Sequence, residues 1–315
     1  MLIAIIGAGL SGLSCAQALR TAGMEVRLFE KANRVGGRCA TRLWQGHLID
    51  HGVQYFTAQT PEFKRELLTS LRQFRPLIPP ILDWEKKVVY SQGGPRFYVL
   101  QGNNYFAHVL SRGLDVRLNT EIGEVAFKSD GIECQGETYG AVVSSLPAPQ
   151  TARLFSLSQT PTEYVCCLTT VLEYNEFNVG DSQDCYARIL PEGAEPLVAS
   201  YCENHKVGRI LGDKTVFVLQ AAPEFSRAHA ELPEEEYVPQ LAVAHEDLWK
   251  IPSGKRTASF AHPWHLCRPR SDMRRPFDLP RGAFVCGDSR SESTVEDVWL
   301  DGRRAAEEVL SYLAG

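Results

Sequence analysis

The chain has 315 residues, of which 44% are apolar, 23% charged and 10% aromatic, with a formal net charge of −5. That mixture excludes disordered, collagen-like and low-complexity chains. Mild acidity argues against nucleic acid as the main partner, because phosphate backbones call for a basic face. No run of about 18 uninterrupted apolar residues occurs, so no transmembrane helix is expected. The nine cysteines are odd in number, irregularly spaced and free of Cys-x-x-Cys pairs. A disulfide framework or a zinc site is therefore not expected, and no metal is; a cytoplasmic location is. Met1 to Leu10 is apolar but lacks the basic start of a signal peptide.

In chain order, Leu2 to Ile6 is a short continuous apolar run, as for a parallel strand buried on both faces. Gly7-Ala8-Gly9-Leu10-Ser11-Gly12 follows directly. Leu13 to Ala22 reads as a helix stopped by Gly23, and Met24 to Phe29 as a second strand closed by Glu30. Each glycine has a task. Gly7 permits the tight turn, Gly9 admits a pyrophosphate to the backbone, and Gly12 lets helix and strand pack closely. The helix amides and dipole favour phosphate. Glu30, 18 residues after Gly12, can accept from both ribose hydroxyls of an adenosine and repels a 2′-phosphate.

Lys31-Ala32-Asn33-Arg34-Val35-Gly36-Gly37-Arg38 comes next. It resembles the Gly-Gly doublet of the FAD-binding amine oxidase superfamily, in which two glycines and an Arg extend the pyrophosphate site. Exposed amides at Gly36 and Gly37 and a forked guanidinium at Arg38 suit that task. At the far end, Ala283 to Cys286 reads as a strand running into Gly287-Asp288. Ligands bind off the carboxyl ends of such strands, so these two residues are expected beside Gly7. The last helix places Val298, Gly302, Ala305, Ala306, Val309, Leu310 and Leu313 on one buried face. Its amino end, Val295 to Val298, is expected to aim at a flavin. No second Gly-x-Gly-x-x-Gly stands between a strand and a helix, so no separate NAD(P)H domain is expected.

Leu48 to Thr57, with its Asp50-His51-Gly52-Val53-Gln54-Tyr55-Phe56-Thr57, resembles the renalase family. Phe97 to Gly102 and Ser145 to Gln150 add to that resemblance, which is thin over residues 155–265. It implies an α/β fold: a Rossmann-like FAD-binding domain (residues 1–60, 103–150 and 268–315) interleaved with a smaller α+β substrate domain of antiparallel sheet and helix (61–102 and 151–267). It also implies FAD contacts at Gly12, Arg38, Val53 and Gln54, and a backbone contact from Val125 to the adenine. The implied activity is hydride transfer from a 2- or 6-dihydro isomer of NAD(P) to flavin N5, with reoxidation by O2 to H2O2. FAD is expected to be non-covalent, since no Cys stands in a tethering motif. The chain departs from the family at Val295-Glu296-Asp297-Val298, at Ala258 to Trp264 and at Gln101-Gly102-Asn103. An acid at 297 suits reduced flavin only if it points away or caps the helix.

Leu114 to Leu118, Glu121 to Phe127 and Ala141 to Leu146 read as strands of the first domain. Cys166 to Tyr174, Pro196 to Cys202 and Thr215 to Ala221 read as strands of the second. Glu234 to Trp249 reads as a helix with Tyr237, Leu241, Ala244 and Leu248 on one face. Pro76, Pro79, Pro80 and Pro161 mark crossings. Hydride oxidation needs little acid–base machinery, so no catalytic triad is expected. His51, His262 and Trp264 are pocket candidates, with packing as the alternative for each; His265 lies beside them, and Trp299 is read as core. Arg268, Arg270, Arg274 and Arg275 form a basic run that either attracts a phosphate-bearing substrate or is a solvated loop. Cys166 and Cys167 read as small hydrophobes on opposite strand faces. Two other functions stay open: an amine or polyene oxidoreductase of the wider superfamily, and a non-catalytic flavin-binding scaffold or sensor.

Overall fold

The structure is a computed structural model. It describes the chain apart from residues 72, 90–93, 159–161, 176–184, 192, 253 and 271–275. Pro161, Arg274 and Arg275 therefore lie outside the described residues. The fold is mixed α/β, as the sequence leads one to expect.

Leu2–Ile6 lies at the centre of a five-stranded parallel sheet ordered Asp115–Arg117, Glu25–Phe29, Leu2–Ile6, Ala141–Ser144, Ala283–Val285. Its side chains alternate between two cores. Ile3 and Ile5 join Leu13, Leu28, Ala141 and Val143 on one face. Ala4 and Ile6 join Phe29, Val142 and Val285 on the other. Two dry faces explain the unbroken apolar run. The first helix is Leu10–Thr21, so it starts directly after Gly9 rather than at Leu13. The last helix, Val295–Ala314, packs on it. A Cβ at Gly302 would stand 2.2 Å from the Ser11 carbonyl oxygen, so only glycine lets the two backbones touch.

Glu121 to Phe127 is not a strand as expected. The described strand is Ala126–Lys128, and residues 121–125 are irregular. Ile122 and Val125 are both buried. Three positions apart, they cannot share one face of a period-two strand, so the chain bends to bury them.

The second sheet is antiparallel over most of its width. Its order is Arg256–Pro269, Tyr164–Asn175, Lys214–Ala221, Leu197–Cys202, Ala187–Ile189, Ile81–Leu82, Val88–Val89. One face, with Leu168, Leu172, Phe217 and Leu219, packs on the helix Glu234–Trp249. That helix buries Tyr237 and Leu241 as expected, together with Val238, Ala242, His245 and Trp249. Ala244 and Leu248 are only partly buried. His245 and Trp249 lie 4.4 and 5.1 Å from the Phe217 ring, which turns the buried stripe toward them.

The opposite face, with Val171, Val218, Tyr201 and Phe260, meets Ile49, Tyr98 and Tyr186. It therefore abuts the strand His47–Asp50 that leads into the His51 loop. The helix Pro61–Ser70 is capped by the Thr60 hydroxyl, which accepts from the Phe63 amide at 3.2 Å. It sends Phe63 and Leu67 into the core beneath the parallel sheet, beside Trp299, which is core as expected. No described helix is long and apolar enough to cross a membrane.

Candidate functional site

The Gly7–Gly12 turn has the geometry its glycines demand. Gly7 has φ +99°, a left-handed conformation, and its amide donates to Phe29 O at 2.8 Å. A Cβ at Gly12 would lie 2.3 Å from Gly7 O, whereas one at Gly9 would meet nothing within 4 Å. Strand–helix contact thus requires Gly12, while Gly9 faces open space. No side chain caps the helix at Gly9, and its first turn carries no acid. The helix amides are therefore left to an anion. Ala8, Leu10 and Ser11 are buried around this turn, and Lys31 is exposed beside it.

Glu30 is buried and held in place. Its carboxylate accepts from the Ala8 amide at 2.9 Å and the Ala32 amide at 2.8 Å. A carboxylate has about four acceptor sites, so two remain beyond these amides. The Gly36 amide donates to Ala8 O at 2.9 Å, pinning the Gly-Gly doublet beside the first turn. Gly36 and Gly37 have φ of +118° and +55°.

Arg38 and Asp288, 250 positions apart, meet in a two-pronged ion pair at 2.5 and 2.8 Å. Asp288 also accepts from Tyr164 Oη at 3.1 Å, and Arg38 donates to Cys267 O at 3.0 Å. Gly287 lies against the first helix: its φ is +99°, and a Cβ there would stand 2.9 Å from Ser11 Oγ. Its amide donates to the buried Asp301 at 2.9 Å. Next to it, the Ser289 hydroxyl is buried without a hydrogen-bond partner among the described residues. Val125 is buried, and its amide donates to Leu154 O at 3.1 Å.

Val295 and Val298 open the last helix. Asp297 forms a reciprocal cap with Thr294: its amide donates to Thr294 Oγ1 at 3.1 Å, and Thr294 Oγ1 donates to its carboxylate at 2.5 Å. Thr294 is thus the residue that caps the helix, and the Asp297 carboxylate accepts from its hydroxyl rather than capping a backbone amide. Sequence reasoning missed its neighbour Glu296, which is buried and accepts from the Gln59 and Thr60 amides, both at 2.7 Å. One carboxylate so ties the start of the last helix to the start of Pro61–Ser70.

The loop after Asp50 is packed tightly. A Cβ at Gly52 would lie 1.9 Å from Arg38 O, and the Val53 amide donates to that same oxygen at 3.1 Å. Val53 is half-buried. The Gln54 side chain turns inward, donating to the carbonyls of Asp50 and Gly52.

The three pocket candidates come together although His51 and Trp264 are 213 positions apart. The Trp264 indole donates to His51 O at 3.0 Å and stacks on the imidazole, at 5.8 Å between centroids and 25° between planes. His262 lies 5.3 Å from His51 and 4.3 Å from Trp264. Phe260 continues the wall. Burial, then His262 and Arg34, pushes His51 down to about 4, and burial with Arg34 and Arg42 lowers His262. Both rings are neutral near pH 7. His265 points elsewhere: it is exposed and 3.6 Å from Glu231. Arg268 and Arg270 are exposed.

Behind His51 lies a charge cluster the sequence reading did not find. Asp50, Glu203, Lys206 and Arg209 have fully buried side chains. Lys206 Nζ is 3.0 Å from Asp50 and 2.7 Å from Glu203, and Arg209 reaches Asp50 and the Val99 carbonyl. Thr41 Oγ1 and the Asn103 amide donate to Asp50 at 2.6 and 3.0 Å. Burial alone would raise Asp50, but Arg209 and Lys206 outweigh it and bring it to about 2; Glu203 is raised by burial. Two anions and two cations cancel, so the cluster fixes the base of the His51 loop without net charge. Glu203, Lys206 and Arg209 are spaced three apart, which was the available signal, although only Glu203 lies on the short helical turn Glu203–His205.

Comparison with known proteins agrees with this geometry. Residues 5–71 match the family described as an NAD(P)-binding Rossmann-like domain. A 4,4′-diapophytoene desaturase from Staphylococcus haemolyticus is 24% identical over 69% of the chain. The chain spans 38% of that protein and under half the length of the other curated relatives it matches. Among solved structures, reduced UDP-galactopyranose mutase superposes with TM-score 0.82 at 10% identity, covering 99% of this chain and 94% of that one. Putrescine oxidase bound to putrescine superposes with TM-score 0.73 at 14% identity, covering 99% of both chains. This chain shares their fold.

Proposed function

We propose that the chain is an oxidoreductase that holds FAD non-covalently along the Gly7–Gly12 turn and takes hydride from a small planar donor. The observation that carries this reading is the uncapped helix end at Gly9, open on its outer side, with Glu30 fixed beside it. Glu30 would accept from ribose hydroxyls, the Leu10–Gly12 amides would bind pyrophosphate, and Gly36 and Gly37 would extend that site, with Arg38 held beside them by Asp288. Gly287, Asp288 and the start of the last helix would close it from the carboxyl end, bringing the positive helix pole near the ring. When bound, FAD supplies a hydride acceptor at N5 and hands the electrons on to O2, giving H2O2. We assign the flavin-binding layer to residues 1–60, 103–150 and 268–315, and the substrate-facing layer to 61–102 and 151–267.

In this reading the chain's own work is positioning. Trp264 and His51 form a flat wall for a planar donor, and the buried Asp50 cluster keeps that wall from shifting. No general base is required, which matches two neutral imidazoles. The finer assignment is a renalase-like one, with a 2- or 6-dihydro isomer of NAD(P) as donor; the Asp50 to Thr57 loop supports it. Anaerobic mixing of the FAD-loaded protein with 6-dihydro-NAD should bleach the flavin band, and air should restore it. An unchanged spectrum would defeat the donor assignment. The second reading, an amine or polyene oxidoreductase, draws on the desaturase and putrescine oxidase likenesses. Peroxide release from an amine panel would favour it.

A further inference from the structure

We propose that the His51–His262–Trp264 cluster borders an anion subsite, in which Arg34 and Arg42, with the two imidazoles, bind a carboxylate or phosphate carried by a planar substrate and disfavour an amine. This deepens the function proposed above and rests on it for the ligand's being a substrate. Four observations carry it.

First, Arg42 Cζ lies 4.8 Å from the Phe260 ring centre, and that ring is 6.2 Å from His51. Arg34 is near enough to both imidazoles for its charge to act on each. Second, neither arginine has an ion pair or a side-chain hydrogen bond among the described residues, although both are exposed. Arg38, Arg209 and Arg290, by contrast, are each paired with a carboxylate. Third, His51 is 3% exposed, and although Ile49 supplies a backbone contact to the ring, its Nδ1 has no hydrogen-bond partner within ordinary geometry among the described residues. A buried imidazole nitrogen left unpaired is costly unless a ligand completes it. Fourth, the buried acids behind the cluster are occupied. Asp50 is engaged by Lys206 and Arg209, and Glu173 by His47, Lys214 and Thr257.

Two unpaired guanidiniums beside aromatic walls create a positive potential. Such a site draws an anion, to which guanidinium offers forked donors, and repels an ammonium.

The test titrates the FAD-loaded protein at pH 8 by calorimetry with benzoate, phenyl phosphate, benzamide and benzylamine. Benzoate or phenyl phosphate should bind at least about tenfold more tightly than benzamide, with benzylamine weakest. The tighter of the two anions identifies the substrate group as carboxylate or phosphate. In the double variant Arg34→Gln/Arg42→Gln the anion preference should fall about tenfold, while bound flavin and the melting temperature stay unchanged, since both side chains are exposed. Equal binding of all four probes, tighter benzylamine, or an unaltered preference in the variant would overturn the proposal. Calorimetry does not depend on flavin. A colourless protein that still prefers the anions would sink the FAD reading and leave the subsite standing.

Discussion

Replacing Asp50 with Asn would leave the fully buried Lys206 and Arg209 facing a single acid, Glu203. At an effective dielectric of about 20, charges 3.0 Å apart attract by roughly 5 kcal/mol, as between Lys206 and Asp50. Relief of the Asp50–Glu203 repulsion and the retained hydrogen bonds from Thr41 and Asn103 offset part of that loss. The expected destabilisation is the 3–5 kcal/mol typical of a broken buried pair, roughly a third of the stability of an ordinary domain. Urea unfolding followed by circular dichroism measures it. The double variant Asp50→Asn/Lys206→Met removes one charge of each sign. It should be less destabilised than the sum of the single changes, by at least about 1 kcal/mol. A single-variant cost below about 1 kcal/mol, or strict additivity, would refute the claim that the cluster is a neutralised unit.

Three further outcomes separate binding from folding. Gly9→Ala should stay within about 1 kcal/mol of the parent, because its Cβ meets nothing and its φ of −73° suits alanine. It should lose FAD retention, read from the visible spectrum after gel filtration; unimpaired retention would contradict the role given to Gly9. Gly302→Ala should cost about 1–3 kcal/mol in urea unfolding, because its Cβ would push the last helix off Ser11 O at 2.2 Å. His245 is fully buried, and burial lowers it to about 3. The unfolded chain therefore takes up that proton near pH 6.5 and the folded chain does not, so the stability held by the neutral ring is complete above about 6.5 and is lost as pH falls toward 3. From pH 7 to 5 the loss is about 2 kcal/mol. His245→Gln should flatten that part of the stability profile, and an unchanged slope would count against it.

Some of this molecule can be read from local chemistry. Gly7, Gly12 and Glu30 were legible because a turn, a close approach and a carboxylate at a fixed distance leave marks within about 30 residues. His51 was legible through its motif, and Trp264 as an aromatic beside His262 in a stretch where the chain departs from the family. The pairing of Arg38 with Asp288 was not, because each was assigned to phosphate or flavin by itself and nothing local links positions 250 apart. Asp50 was quoted only within a loop motif, yet it anchors the base of that loop; its partners Lys206 and Arg209 lie in a stretch where the resemblance is thin. Glu296 was passed over for the more conspicuous Asp297, although it is Glu296 that joins two helices. Long-range polar pairing has no period, so no pattern of apolar residues reveals it.

One FAD per chain, held without a covalent bond, is the property on which the functional reading depends. Purified protein is incubated with excess FAD, freed of unbound cofactor by gel filtration and denatured with acid, and the flavin released to the supernatant is quantified. About one FAD per chain in the supernatant is expected, since the chemistry proposed here belongs to that cofactor. Protein that leaves the column colourless, or flavin that stays with the acid precipitate, would contradict it.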